Sequence, residues 1–224
     1  MTIKVLIADD HDAVRFGLST ILGNADGIEV VGEAGDGAAA VRLARAFRPD
    51  VTLMDIRMPG VDGITATREL VEEGLSQVIV LTTFDLQEYV EGALRAGAAG
   101  FLIKSVPAPR LIEAVKLVAA GEGVLSPQVT RKLINAFAAA TPERPPPPPP
   151  DGLATLTDRE REVFACLGEG LTNAQIGTRL YIGETTVKTH VSRVLAKLGL
   201  HSRVQAAILA RENGLTAADL REGP

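Results

Sequence analysis

Residues 145–150 are six consecutive prolines, and no other stretch of the 224-residue chain limits its fold as tightly. Proline lacks an amide hydrogen and its ring locks φ, so six in a row exclude a helix interior and a central strand. What remains is an extended polyproline II rod of about 3.1 Å per residue, roughly 19 Å in all. The chain is therefore read as two units joined by a semi-rigid spacer. A ligand for an SH3- or WW-like groove is the sharper reading of such a run, and a plain linker the preferred one. Charge shifts across the same boundary. Lys+Arg against Asp+Glu stands at 14 to 19 over residues 1–150 and 9 to 9 over 151–224, so the net charge of −5 belongs to the first part.

Hydrophobic residues make up 46% and charged residues 23%, the proportions of a folded globular protein rather than a disordered one. The one cysteine, Cys166, excludes an internal disulfide framework and a multi-cysteine zinc site, so a reducing cytoplasm is the expected setting. The apolar N-terminal run ends too soon, at Asp9, for a signal peptide, and no apolar run approaches a membrane span. No membrane association is expected.

Before the rod, short apolar runs alternate with helical patterns. Strands are predicted over 4–8, 29–34, 51–54, 77–81 and 100–103, with helices over 13–22, 37–47, 63–73, 86–96 and 109–120. Five strand–helix repeats predict an α/β fold, a doubly wound parallel sheet with helices on both faces. A further helix over 127–139 leads into the linker.

The ends of those strands carry the chemistry. Asp9-Asp10 follow the first, Asp55 the third, Thr82 the fourth and Lys104 the fifth. In a parallel sheet these ends share one edge, where open α/β sheets bind ligands. Clustered carboxylates repel unless a cation sits among them, and a hard divalent cation, Mg²⁺ or Mn²⁺, suits Asp9, Asp10 and Asp55. With the cation held mainly by Asp9 and Asp10, Asp55 is free to attack phosphorus and become an acyl phosphate. Lys104 would neutralise the transferring group and Thr82 would donate to its oxygens. Each residue alone has a plainer reading: a helix N-cap for either aspartate, a solvated lysine, a β-branched strand residue. Four strand ends carrying polar groups at one edge by coincidence is the weaker account.

These residues, with Met58-Pro59-Gly60 after Asp55 and Gly100-Phe101-Leu102-Ile103 before Lys104, resemble the receiver domain of a bacterial two-component response regulator. The resemblance covers about residues 3–121. It implies a flavodoxin-like five-stranded sheet in the order 2-1-3-4-5 and phosphorylation of Asp55 by a sensor histidine kinase. It also implies a metal ligand in the backbone carbonyl of Arg57, and a switch pair in Thr82 and Phe101; Phe101 is otherwise read as a plain core aromatic. Ser105 departs from the family, many of whose members have proline there.

Beyond the rod, Thr157 with Glu160 three residues on makes a capping box for a first helix. Thr172 caps a second over 173–180, a third runs over 184–198, and Ser202 opens a fourth to about 213. Two short helices joined by a tight turn, the second one basic, predict a helix-turn-helix. Arg179, Lys188, Arg193 and Lys197 against Glu184 give this stretch a local charge of +3. Thr185, Thr186, Thr189 and Ser192 are short enough to approach base edges or phosphates.

The stretches Leu156-Thr157-Asp158-Arg159-Glu160-Arg161-Glu162-Val163, Thr186-Val187-Lys188-Thr189-His190 and Lys197-Leu198-Gly199 resemble the LuxR-type DNA-binding domain. Along nearly its whole length the chain thus resembles a NarL/FixJ-type response regulator: a receiver over 1–121, a connecting helix and proline-rich linker over 122–152, and an all-α helix-turn-helix domain over 153–224. The resemblance implies that Lys188, Thr189 and Ser192 face the major groove, while Arg193 and Lys197 touch phosphates. Val204, Ala207, Ile208 and Ala210 lie on the helix through which such domains dimerise, so a two-fold homodimer would read an inverted repeat in promoter DNA. RNA polymerase is a partner that the resemblance leaves open. The expected role is transcription control, not metabolic catalysis, with slow autodephosphorylation at most. Two rivals stand beside it. A haloacid-dehalogenase-like phosphatase needs a carboxylate two residues after its nucleophile, where this chain has Arg57. A phosphorylation-independent transcription factor would be expected to have an incomplete acidic pocket.

Overall fold

The computed structural model describes residues 2–82, 92–125 and 151–215. The chain divides between residues 137 and 138 into two compact units, inside the connecting segment expected over 122–152. The expected connecting helix over 127–139, the prolines 145–150 and residues 86–91 of the helix expected over 86–96 lie outside the described residues; residues 92–95 are helical.

The first unit is built on β1 (Ile3–Ala8), β2 (Ile28–Ala34), β3 (Val51–Asp55), β4 (Gln77–Thr82) and β5 (Gly100–Ile103), with α1 (Asp12–Gly23), α2 (Gly37–Phe47), α3 (Gly63–Glu72) and α4 (Ala108–Ala119). The strands are parallel and in the expected order. The sheet is one strand wider than expected: β6, Val124–Leu125, pairs in parallel with Gly100 and Phe101. Two residues are too few for alternation to show in a sequence. β3, at the centre, is buried at every position, as a strand covered on both faces must be.

Side chains of alternate strand residues, Val5, Ile7, Val51, Leu53, Ile79 and Leu81, pack with Leu22 of α1 and Leu111, Ala114, Val115 and Val118 of α4. The opposite face carries α2 and α3, whose buried residues include Ala40, Val41, Ala44, Ala66 and Leu70. Full burial of each leucine, isoleucine or valine contributes about 1.5–3 kcal/mol. Asp36 and Asp62 cap α2 and α3, their carboxylates accepting from Ala39 N and from Ile64 and Thr65 N.

The second unit opens with a 3₁₀ turn, Asp151–Thr155, followed by α5 (Asp158–Gly168), α6 (Asn173–Leu180), α7 (Glu184–Leu198) and α8 (Arg203–Glu212). Thr157 and Glu160 form the capping box of α5, and Thr172 with Gln175 forms another at α6. Val163, Phe164, Leu167, Ile176, Val187, Val191, Val194, Ala206 and Ala210 make one core. Among the described residues, no helix is long and apolar enough to cross a membrane.

Candidate functional site

At the carboxyl edge of the sheet, Asp55 is the last residue of β3 and Asp9 follows β1 directly. Both are buried, at 6% and 1% exposure. Lys104, just past β5, reaches between them: its Nζ lies 2.7 Å from Asp9 Oδ2 and 2.8 Å from Asp55 Oδ2. The other oxygens are held by backbone, Asp55 Oδ1 by Ile56 N at 2.8 Å and Asp9 Oδ1 by His11 N at 3.0 Å. Burial raises the pKa of Asp55 above the usual carboxylate range, against the pull of the Lys104 hydrogen bond and charge. Burial alone would lower the pKa of Lys104; its bonds to Asp55 and Asp9 outweigh that and hold it raised.

Asp10, Asp55, Thr82 and Lys104 line one pocket of about 250 Å³, together with His11, Ile56 and Arg57. Ligand atoms of Asp9, Asp10, His11 and Asp55 all lie within 4.8 Å of one another. Three carboxylates facing one ammonium leave net negative charge, the oxygen-rich donor set that suits a hard divalent cation. Thr82 is 6% exposed, and its carbonyl accepts from Lys104 N at 2.8 Å. Phe101 is fully buried, as the plain core reading of this aromatic also requires. Arg57 is exposed and lines the pocket mouth.

The local backbone explains the surrounding glycine. A Cβ on Gly63 would stand 1.8 Å from the carbonyl oxygen of Asp55, so the start of α3 can pack beneath the acidic residue only without a side chain.

Two participants escape a reading of strand ends. His11 Nδ1 lies 2.6 Å from Asp10 Oδ1. Arg15, one turn into α1, donates to the carbonyl of Asp9 at 2.7 Å and pairs with Asp12 and, at 3.8 Å, Glu33. The run Asp9-Asp10-His11 is itself a signal for the first. For Arg15 only the pair with Asp12, one turn back on α1, shows in the sequence; the carbonyl of Asp9 and Glu33 become its neighbours when α1 folds against the sheet.

In the second unit, α7 exposes Thr185, Thr186, Lys188, Thr189, Ser192 and Arg193. Thr189 and Ser192 donate to the carbonyls of Thr185 and Lys188, one turn back, and Lys188 pairs with Glu184 at 3.5 Å. Lys197 has partners within its own unit. Its Nζ donates to the carbonyl of Thr155 at 2.9 Å and pairs with Glu160 at 2.6 Å, beside the capping box. Glu160 is buried, and the Lys197 bond, with that of Thr157 N, lowers its pKa to about 2. Arg159 likewise donates to Leu180 O, and Arg203 to Asn173 and Leu171, gripping the two ends of α6. Of the residues expected at a dimer contact, Val204 is 5% exposed and Ala210 fully buried, whereas Ala207 and Ile208 are half-buried. In a helix that packs on α5, these positions fall on different faces.

An acidic strand-edge pocket on one unit and a helix-turn-helix on the other define a signal-receiving, DNA-binding protein. The response regulator receiver domain family matches residues 5–116, and the bacterial regulatory protein family of luxR type matches 154–210. The transcriptional regulatory protein DegU of Brevibacillus brevis is 40% identical over 95% of this chain and 94% of its own. The DNA-binding transcriptional activator DevR/DosR of Mycobacterium tuberculosis is 40% identical over 94% of each. Among solved structures, response regulator ChrA of a heme-sensing two-component system is 37% identical, covering 96% of this chain and 98% of its own, with a TM-score of 0.54. The chain belongs to the NarL/FixJ family of response regulators: it is a DNA-binding response regulator of a two-component system, and its relatives regulate transcription.

Proposed function

We propose that Asp55 accepts a phosphoryl group from a sensor histidine kinase in the cytoplasm and that this controls dimerisation and promoter binding. The observation that carries the reading is the Lys104 ammonium held between Asp9 and Asp55 at the wall of an acidic pocket. An oxygen of Asp55 attacks phosphorus as the bond to the kinase imidazole nitrogen breaks, leaving that electron pair on nitrogen and an acyl phosphate on Asp55. Lys104 neutralises charge on the phosphoryl oxygens, and Thr82 donates its hydroxyl to one of them. Asp9, Asp10, Asp55 and the Arg57 carbonyl would hold Mg²⁺ or Mn²⁺, which supplies further positive charge at the phosphoryl oxygens when bound. Arg57 stands where a phosphatase would carry its general acid, which favours a lasting acyl phosphate over rapid turnover and limits autodephosphorylation to a slow rate.

The new charge biases a two-state arrangement of Thr82 and Phe101. In the second unit, α7 enters the major groove with Thr186, Lys188, Thr189 and Ser192 toward base edges and Arg193 on phosphate. Lys197, engaged by Glu160, fixes the far end of that helix and reaches phosphate only by exchanging partners. Ala207 and Ile208 are the better candidates for a two-fold contact on α8, giving a homodimer that reads an inverted repeat and brings RNA polymerase within reach. The test is exposure to acetyl phosphate with Mg²⁺, read by phosphate-affinity electrophoresis, beside sedimentation velocity with beryllium fluoride. A shifted band and a dimer, both absent in Asp55→Ala, are expected. A band that survives Asp55→Ala overturns the assignment of Asp55.

A further inference from the structure

Tyr181 is 94% exposed and sits in the left-handed backbone region, at φ 55 and ψ 44. It closes α6: its N–H and that of Ile182 both return to the carbonyl of Gly177. Physics favours glycine or asparagine at such a helix exit, and α7 ends on Gly199 in the same conformation. Among the described residues, Arg48 is the other non-glycine with positive φ, and its charge acts on Glu73. Tyr181 has no such return. Its ring buries almost nothing, and among the described residues its hydroxyl has no hydrogen-bond partner. A strained aromatic that contributes nothing to folding points to a role outside the fold.

Its place in the chain says what that role is. Tyr181 lies in the turn between the two helices of the helix-turn-helix, three residues before α7 begins at Glu184. When the second helix puts its N-terminal residues on base edges, the first crosses the backbone, so the turn between them stands over a phosphate strand. A phenol there supplies a neutral donor on a stiff arm, and tyrosine hydroxyls are among the groups that fix a protein's register on a duplex. Arg159 braces the same turn through the carbonyl of Leu180.

We infer that the Tyr181 hydroxyl donates to a DNA phosphate and helps set the register of α7 in the groove. The inference rests on the DNA-binding mode proposed above. Since phosphate carries no sequence information, a fluorescein-labelled duplex of mixed sequence serves as the probe, with the full-length chain and anisotropy over a series of KCl concentrations. Tyr181→Phe, which removes the hydroxyl alone, is expected to weaken binding about threefold or more, the effect of one neutral hydrogen bond. Tyr181→Gly should weaken binding at least as much while leaving the midpoint of urea unfolding unchanged or higher, since glycine is at ease in this conformation. The salt slope should not change in either variant, because the lost donor is uncharged. Full affinity in Tyr181→Phe overturns the inference, as does a Tyr181→Gly variant whose weaker binding tracks a lower urea midpoint. A Lys188→Ala, Arg193→Ala double variant separates the two claims. If it also binds like the wild type, the reading of α7 as the DNA-contacting helix fails as well; if it binds more weakly while Tyr181→Phe does not, only the inference about Tyr181 fails.

Discussion

Two lysines, one in each unit, make almost the same contacts and serve opposite ends. Lys104 bridges Asp9 and Asp55 at 2.7 and 2.8 Å; Lys197 bridges Glu160 and the carbonyl of Thr155 at 2.6 and 2.9 Å. The difference lies in what surrounds the acceptors. Around Lys104 three carboxylates face one ammonium beside an open pocket, so negative charge is left over for a cation or phosphoryl group. Around Lys197 one carboxylate meets one ammonium, and the N–H of Thr157 donates to the same oxygen, Glu160 Oε2. Excess charge at a cavity makes a reactive centre, whereas a matched pair in the same kind of geometry makes a joint.

The largest effects should come from breaking the unmatched cluster. Asp55→Asn is expected to abolish acyl-phosphate formation from acetyl phosphate, since an amide oxygen is no nucleophile at phosphorus. Lys104→Met should slow the same transfer by about a hundredfold or more, through loss of charge stabilisation. Asp55→Asn should leave hydrogen-exchange protection of the sheet intact, because it removes one of the carboxylates that crowd Lys104. Removal of Mg²⁺ with a chelator should likewise stop phosphorylation and leave protection unchanged.

The matched pair should respond the other way. Lys197→Met leaves Glu160 buried without its cation and should cost the second unit about 1–3 kcal/mol, the lower end being favoured by the partial exposure of Lys197. Faster hydrogen exchange across α5 and α7 would register it. The pH dependence has a definite sign. Glu160 has its pKa lowered from an ordinary 4.5 to about 2 in the folded chain. It therefore contributes stability that is complete above about pH 5 and is lost as pH falls from there toward 2. Asp55, whose pKa is raised, has the opposite slope and favours the fold as it protonates. Acid should thus loosen α5 and α7 before the sheet edge, and Lys197→Met should reduce the Glu160 part of that dependence, leaving the share due to the Thr157 bonds.

This contrast also marks what a sequence can disclose. The convergence of Asp9, Asp55, Thr82 and Lys104 was legible because a parallel sheet sends every strand end to one edge, whereas the sheet order came only with the resemblance to receiver domains. The strand runs alone place those residues. Helix caps such as Thr157 and Thr172 were legible for a similar reason, since their partners are three residues away. The pairing of Lys197 with Glu160, the grip of Arg159 and Arg203 on α6 and the inward face of Val204 were not. Each depends on the angle at which helices cross, and spacing along one helix does not contain that angle. Lys197 reads as one more positive charge on a basic helix until its partner, 37 positions earlier, is known.

The smallest effect tests that last point most directly. If phosphate contacts release counterions, each cation removed from the interface flattens the dependence of log K on log salt by about one unit. Arg193, exposed and, among the described residues, without an ion-pair partner, should show this change in Arg193→Ala. Lys197→Met should weaken binding only through the misplacement of α7 and leave the slope as it was. Equal slopes for the two variants would mean that Lys197 leaves Glu160 when DNA arrives. The joint would then be a latent contact, and a matched pair could no longer be taken as structural from its geometry alone.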